Sequence, residues 1–516
     1  MFYNKFTNFR IKTSYTKFII YYTLLVYVTY NLINLDKLTK WFYYNSEFSY
    51  FGFISYIILG YLLFLTLSTL IFHKYTTKLF AIFIFLSSTF TTYFIFKYNI
   101  AMDTSMLMNI LYTNSSESLT LASIKMIPYL MFLFIIPSFI LLKIDIIYDK
   151  LLKHLFKSLF IIIISLSLAL SSIYISFKEL HRAANLSNKY ILYSLVPVNF
   201  LSAIIDVIKK EVLLPLIDDN KEEKNKIIES TVTKKDDLVV VLAIGEAIRQ
   251  KNLNIYGYKR KLTTPLLSNI DNLHILNGIA RLGSTLYALR EILRKDDIKL
   301  TSIINNSDIN MSCYVNYSIY DNSVVGEIHA QSGKYKKVYD EDVIPLLEQN
   351  IKSYKNGYRF ILLHLGGGAH GPIYSNRYPE SFQIYTPTCE NPDMLGSCTK
   401  EERFNSYDNA MLYQDYVISN IIEKLDNSKI PYVFIFVSDH GESLGEDGYV
   451  FHGMPPGMRL PPEQANVPLL VKASFPIKII NKDEYTQPDI FDTILDLFSI
   501  DTKVFDKSGS FIRKIN

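Results

Sequence analysis

The sequence predicts an α-helical transmembrane bundle followed by an α/β domain with a mainly parallel sheet. Three observations carry that expectation. Apolar and aromatic residues crowd the first third of the 516-residue chain. Beyond about residue 234, strand-like and helix-like patterns alternate. The residues of chemically active type then fall where the predicted strands end. A chain this long exceeds one ordinary domain, so two are expected. The formal net charge is only +4, and no basic patch points to nucleic acid.

Five stretches are long and apolar enough to cross a bilayer, at roughly 16–35, 50–72, 79–98, 122–142 and 155–176. The first runs into Asn31-Leu32-Ile33-Asn34 without a small-residue cleavage pattern, so it is expected to remain as an anchor. Cationic flanks set the orientation: Lys5, Arg10, Lys12 and Lys17 before the first span, Lys74 and Lys78 between the second and third, and Lys143, Lys150, Lys153 and Lys157 between the fourth and fifth. These segments read as cytoplasmic. An odd number of spans then places everything after about residue 177 outside the cytoplasm.

The expected organisation is a five-helix membrane domain over 1–176, bridging helices and a linker over 177–233, and a globular domain over 234–516. Within the first, the loop 99–121 reads as a short amphipathic helix at the outer face. The charged run Asp218-Asp219-Asn220-Lys221-Glu222-Glu223-Lys224 reads as a linker. In the globular domain the pattern predicts strands at Leu238–Ile244, Phe360–His364 and Tyr432–Val437, with helices near 276–294, 341–354, 403–426 and 488–498.

In parallel α/β sheets, ligands bind beyond the carboxyl ends of the strands. Here those ends carry Gly245-Glu246, Gly366-Gly367-Gly368-Ala369-His370-Gly371 and Ser438-Asp439-His440-Gly441-Glu442. Two carboxylates and an imidazole, from Glu246, Asp439 and His440, suit zinc in preference to manganese. A lone Asp-His pair is more often a cap or a surface pair, so the flanking sequence has to tip the balance. Cys389 and Cys398 lie close together in a polar loop, and spacing alone leaves a disulfide and two free thiols equally open. The extracytoplasmic placement favours the disulfide.

Ser438-Asp439-His440-Gly441-Glu442-Ser443-Leu444-Gly445-Glu446, followed by Phe451-His452-Gly453-Met454-Pro455, resembles the signature of phosphoethanolamine transferases. The resemblance extends to the five spans, Gly245-Glu246 with Arg249, Tyr256-Gly257-Tyr258, the His370-Gly371-Pro372 turn and Tyr385-Thr386-Pro387-Thr388-Cys389-Glu390. It implies a catalytic domain of alkaline-phosphatase/sulfatase type. It also implies a zinc held by Glu246, Thr285, Asp439 and His440, with Thr285 as the nucleophile that becomes phosphoethanolaminated. His370 and His452 match positions that bind the substrate phosphate or an additional zinc. Asn109 and Glu117, with Thr113 and Asn114, match contacts to the lipid headgroup. The implied donor is phosphatidylethanolamine and the implied acceptor lipid A or another lipopolysaccharide-type glycan. The implied setting is the bacterial inner membrane, with a cytoplasmic N-terminus, a periplasmic catalytic domain and a monomeric chain.

The resemblance has departures. Leu282-Gly283-Ser284-Thr285 stands for the family's Cys-Gly-Thr-x-Thr, and Arg290-Glu291-Ile292-Leu293 replaces its Pro-Cys-Met-Phe-Ser tail, which makes Ser284 the fallback nucleophile. Thr285 is preferred because Tyr287 keeps the register, and because a hydroxyl that opens a helix sits in the positive field of its N-terminus. Gly366-Gly367-Gly368-Ala369 is one residue longer than usual, Ala247 replaces a Thr, and two cysteines normally paired around the nucleophile are absent. Cys313 is left without an obvious partner. The alternatives are a phosphoglycerol transferase of lipoteichoic-acid-synthase or glucan-modifying type, or a catalytically impaired homologue. A soluble phosphatase or sulfatase needs no membrane bundle, and the Cys/Ser-x-Pro-x-Arg setting of sulfatases is missing.

Overall fold

The structure is a computed structural model. It describes residues 10–43, 49–98, 100, 102–104, 106–108, 124–186, 193–209, 229–234, 236–296, 298–315, 339–366, 369–454 and 459–515. Asn109 and Glu117, most of the 99–121 loop and the charged run at 218–224 lie outside the described residues. The described residues up to 209 and those from 229 onwards form two compact units.

In the first unit, four helices among the described residues are long and apolar enough to cross a membrane: Tyr50–Ile71, Thr77–Tyr98, Ile124–Leu142 and Leu151–Asn185. The expected fifth, Tyr15–Ile33, is 19 residues long but falls short on composition, because tyrosines interrupt its aliphatic run. The buried ones, unlike the exposed Tyr21, are matched to neighbouring helices. Tyr22 donates to the Ala81 carbonyl at 2.8 Å, Tyr27 to Ile57 at 2.8 Å and Tyr30 to Phe85 at 3.2 Å. A buried phenol needs such a partner, so the face that carries Tyr22, Tyr27 and Tyr30 packs on protein while Leu24, Leu25 and Leu32 stay exposed. Ile124–Leu142 changes to a π-helical turn at Leu130–Ile135, just before Pro137 removes a backbone donor. The last long helix runs past the expected end at 176, through a non-helical step at Ser176 (φ −109, ψ 16) whose hydroxyl donates to Ser55 Oγ at 2.6 Å.

The second unit is built on seven strands: β1 (Leu238–Gly245), β2 (His274–Ile279), β3 (Asn310–Val315), β4 (Tyr358–His364), β5 (Tyr432–Ser438), β6 (Asn466–Ala473) and β7 (Tyr485–Thr486). Their spatial order is β7-β2-β6-β5-β1-β4-β3. Only β6 runs against the others, so the sheet is mixed but largely parallel. The central strands β1 and β5 are buried along their whole length, as the continuous apolar runs of a sheet covered on both faces should be.

The predicted helix at 276–294 is corrected. Its first part is the strand β2, and the helix itself is Thr285–Leu293. Residues 274–278 alternate in burial with the period of a strand, and a Cβ at Gly278 would lie 2.8 Å from the Val467 carbonyl of β6. The other helices stand close to expectation, at Val343–Lys352, Lys400–Ser428 and Pro488–Leu497. The Lys400–Ser428 helix begins earlier than its apolar pattern, because Thr399 and Glu402 form a reciprocal capping box.

Candidate active site

Strand register places the first two carboxylates side by side. Ser438 pairs with Gly245 at the ends of β5 and β1, so Asp439 and Glu246 leave adjacent parallel strands together. Both are buried, at 0% and 2% exposure. Asp439 Oδ1 accepts the backbone N–H groups of Ala247 at 3.0 Å and His440 at 2.7 Å. Ala247, whose N–H is held by the carboxylate, takes φ 59, the left-handed region that non-glycine residues seldom occupy.

Thr285 is the first residue of the Thr285–Leu293 helix, whose inner face packs Leu286, Ala288, Leu289, Ile292 and Leu293 into the core. Its hydroxyl donates to Glu246, with Oε2 at 3.1 Å and Oε1 at 3.3 Å, and lies 3.3 Å from His440 Nε2. Ser284 is the N-cap, and its carbonyl accepts Ala288 N–H at 2.9 Å. Of the two candidate hydroxyls, the geometry therefore puts Thr285 between Glu246 and His440.

His440 is fully buried, and burial pushes its imidazole down to about 4, so the ring is neutral near pH 7. Its Nδ1–H donates to the Gly441 carbonyl at 3.0 Å, which leaves the Nε2 lone pair facing Asp439 Oδ2 at 3.2 Å and Glu246 Oε1 at 3.4 Å. Asp439 Oδ2 is buried and has no hydrogen-bond partner. A lone pair and two carboxylates aimed at one buried point repel each other unless a cation neutralises them. These residues therefore fit a divalent metal.

His452 joins the same cluster. Its ring centroid lies 4.0 Å from that of His440, and ligand atoms of Glu246, His440 and His452 all fall within 4.8 Å of one another. His370 is next, 4.9 Å from His452 between ring centroids, with Nδ1 2.7 Å from the Gly371 carbonyl. Gly367 and Gly368 of the lengthened loop before it lie outside the described residues.

Sequence reasoning had not singled out Glu442 or Tyr374, although Glu442 stood inside the quoted motif. Glu442 is completely buried, with Oε2 2.6 Å from His452 Nδ1 and Oε1 accepting from the Tyr374 hydroxyl at 3.0 Å. Arg249, quoted only as part of the resemblance, is a buried strut. It donates to the Glu442 carbonyl at 2.9 Å, to Glu446 Oε1 at 2.8 Å and to Asn252 Oδ1 at 2.7 Å. Gly441 permits the tight turn: a Cβ there would lie 2.1 Å from the Glu463 carbonyl. Gly441→Ala is accordingly expected to destabilise the chain by at least about 2 kcal/mol, read as a lowered melting temperature.

Cys389 and Cys398 are joined by a disulfide, with Cα atoms 5.6 Å apart. Cys313 is a buried free cysteine in β3, and burial pushes its thiol up to about 12. Its reactivity is correspondingly low.

Known proteins match both units. Residues 60–212 match the family described as Phosphoethanolamine transferase EptA/EptB, and residues 298–500 match the family described as Sulfatase. Phosphoethanolamine transferase EptA of Helicobacter pylori is 31% identical over 450 residues, covering 79% of this chain and 79% of that one. The chain belongs to the phosphoethanolamine transferase family. Among other members, Phosphatidylethanolamine transferase Mcr-1 of Escherichia coli is 26% identical and covers 97% of this chain and 98% of its own. The integral membrane lipooligosaccharide phosphoethanolamine transferase A (EptA) of Neisseria meningitidis shares the fold, with a TM-score of 0.79 at 22% identity over 97% of this chain and 98% of that one. This phosphoethanolamine transferase is thus a membrane protein with an alkaline-phosphatase/sulfatase-like domain on a mixed central sheet.

Proposed function

We propose that this transferase moves phosphoethanolamine from phosphatidylethanolamine to lipid A or another lipopolysaccharide-type acceptor, through a covalent phosphoethanolamine-threonine at Thr285. The observation that carries the reading is the Thr285 hydroxyl, which donates to the Glu246 carboxylate beside His440. The names of relatives supply the substrate class. Mcr-1 is named as a phosphatidylethanolamine transferase, and an Escherichia coli relative, 30% identical over 258 residues, is named Kdo(2)-lipid A phosphoethanolamine 7''-transferase.

Glu246, Thr285, Asp439 and His440 would hold a zinc ion. Bound there, zinc lowers the pKa of a coordinated hydroxyl and stabilises negative charge on phosphoryl oxygens. The rest of the chemistry belongs to the side chains. Thr285 Oγ1 attacks the donor phosphorus while its proton passes to the Glu246 carboxylate. The bond from phosphorus to the diacylglycerol oxygen breaks, and the same proton leaves on that oxygen. A phosphate or hydroxyl oxygen of the acceptor then attacks the phosphorus, the bond to Oγ1 breaks, and Thr285 is regenerated with the acceptor's proton. His370 and His452 line the place where the transferring phosphate would sit, and Asn109 and Glu117 are assigned to the donor headgroup.

In this reading the chain lies in the bacterial inner membrane with its second unit in the periplasm. The tyrosine-rich Tyr15–Ile33 helix counts as a fifth crossing, which makes the number odd. The Cys389–Cys398 disulfide agrees with an oxidising compartment. Mass spectrometry of lipid A and core glycan from cells with and without the gene tests the proposal. The expected product carries a mass increment of one phosphoethanolamine; an unchanged lipid A and core would sink the acceptor assignment.

A further inference from the structure

Glu442 is a fully buried carboxylate with both oxygens engaged, Oε2 by His452 Nδ1 at 2.6 Å and Oε1 by the Tyr374 hydroxyl at 3.0 Å. Its backbone is pinned as well, since Arg249 Nη1 donates to its carbonyl at 2.9 Å. The pocket is closed tightly on the far side: a Cβ at Gly371 would lie 3.2 Å from Glu442 Oε1 and 2.8 Å from the Phe451 ring. Withdrawing a carboxylate this completely from water is costly unless a partner requires the charge. The Tyr374 hydroxyl would be served by a neutral amide equally well. The imidazole is the partner for which an anion makes a difference.

We infer that Glu442 is a positioning residue that accepts the Nδ1–H of His452, fixes the ring's tautomer and turns its Nε2 towards the space shared with Glu246 and His440. The inference rests on the reading that this site holds a divalent cation, and it adds His452 to Glu246, Thr285, Asp439 and His440 as a residue that faces the ion. The two neighbouring imidazoles are held by different partners. His440 gives its Nδ1–H to the neutral Gly441 carbonyl at 3.0 Å, whereas His452 meets a carboxylate. A carboxylate behind an imidazole fixes the ring's orientation and makes its outer nitrogen a stronger donor, and loss of such a partner costs about 10- to 100-fold in metal affinity. The two rings lie 4.0 Å apart between centroids at an interplanar angle of 32°, so the ring that Glu442 anchors sits directly beside His440.

The test is the zinc Kd of the purified full-length chain in detergent, measured by competition with a chelator, for the wild type, Glu442→Gln, His452→Ala and the double variant. Glu442→Gln is expected to weaken zinc about 10- to 100-fold, and to have no further effect once His452 is alanine. An unchanged Kd in Glu442→Gln, or the same loss with and without His452, overturns the inference. If Glu442→Gln does not fold, Tyr374→Phe removes one hydrogen bond to the same carboxylate, with an expected loss of about fivefold that again vanishes in the His452→Ala background. Persistence of that loss would likewise overturn it. Failure of the metal reading itself is separable, because it shows in the wild type alone as no zinc bound tightly.

Discussion

Replacing Thr285 by alanine is expected to reduce diacylglycerol release from a fluorescent phosphatidylethanolamine by at least about 10³-fold, the scale on which loss of a nucleophile acts. The hydroxyl donates to Glu246 and lies 3.3 Å from His440, and alanine leaves no atom there to attack phosphorus. Folding should survive. Thr285 is the first residue of its helix, the cap is Ser284, and alanine is the better helix former. The melting temperature should therefore stay within a few degrees of the wild type while turnover disappears. Ser284→Ala supplies the contrast, with an expected loss of no more than about tenfold, since the hydroxyl held between Glu246 and His440 is that of Thr285. The reverse pattern, with Thr285→Ala active and Ser284→Ala dead, would move the nucleophile to Ser284.

The legible part of this molecule was the part written in local pattern. Continuous apolar runs marked β1, β4 and β5, and motif residues at their ends marked Glu246, Asp439 and His440, because in a parallel sheet the strand ends converge on one place. What escaped was written in tertiary contact. The strand β2 was folded into a predicted helix because His274–Ile279 mixes polar and apolar residues. Its strand character comes from pairing with β6 and from the close approach at Gly278. Strands β3, β6 and β7 depend on similar pairings. The Tyr15–Ile33 helix was read as a membrane span from its length, and the carbonyls on other helices that satisfy Tyr22, Tyr27 and Tyr30 are contacts no one-dimensional pattern contains. Glu442 escaped for the same reason. Its partners His452 and Tyr374 are 10 and 68 residues away, and a carboxylate in a motif reads the same whether it binds a ligand or steadies a neighbour.

Asp439→Asn separates stability from chemistry and is the other variant with a large expected effect. The two oxygens of Asp439 have different employment. Oδ1 accepts two backbone N–H groups, from Ala247 and His440, and so holds the strained Ala247 turn in place. Oδ2 is buried without a hydrogen-bond partner, facing the His440 Nε2 lone pair at 3.2 Å. Asparagine keeps the first role through its carbonyl oxygen. In the second it substitutes an amide group that donates to His440 Nε2, and so removes a buried negative charge from a point where Glu246 is already present. The metal-free variant should consequently melt at or above the temperature of the metal-free wild type. The same amide, however, occupies the imidazole nitrogen and cannot ligate a cation. Zinc should fall from near-stoichiometric in the wild type to a trace, and diacylglycerol release should drop by at least about 10³-fold. A variant that melted several degrees lower would instead show that Oδ2 serves the fold. One that kept its zinc would remove Asp439 from the ligand set, leaving Glu246, His440 and His452 as the group able to hold the ion.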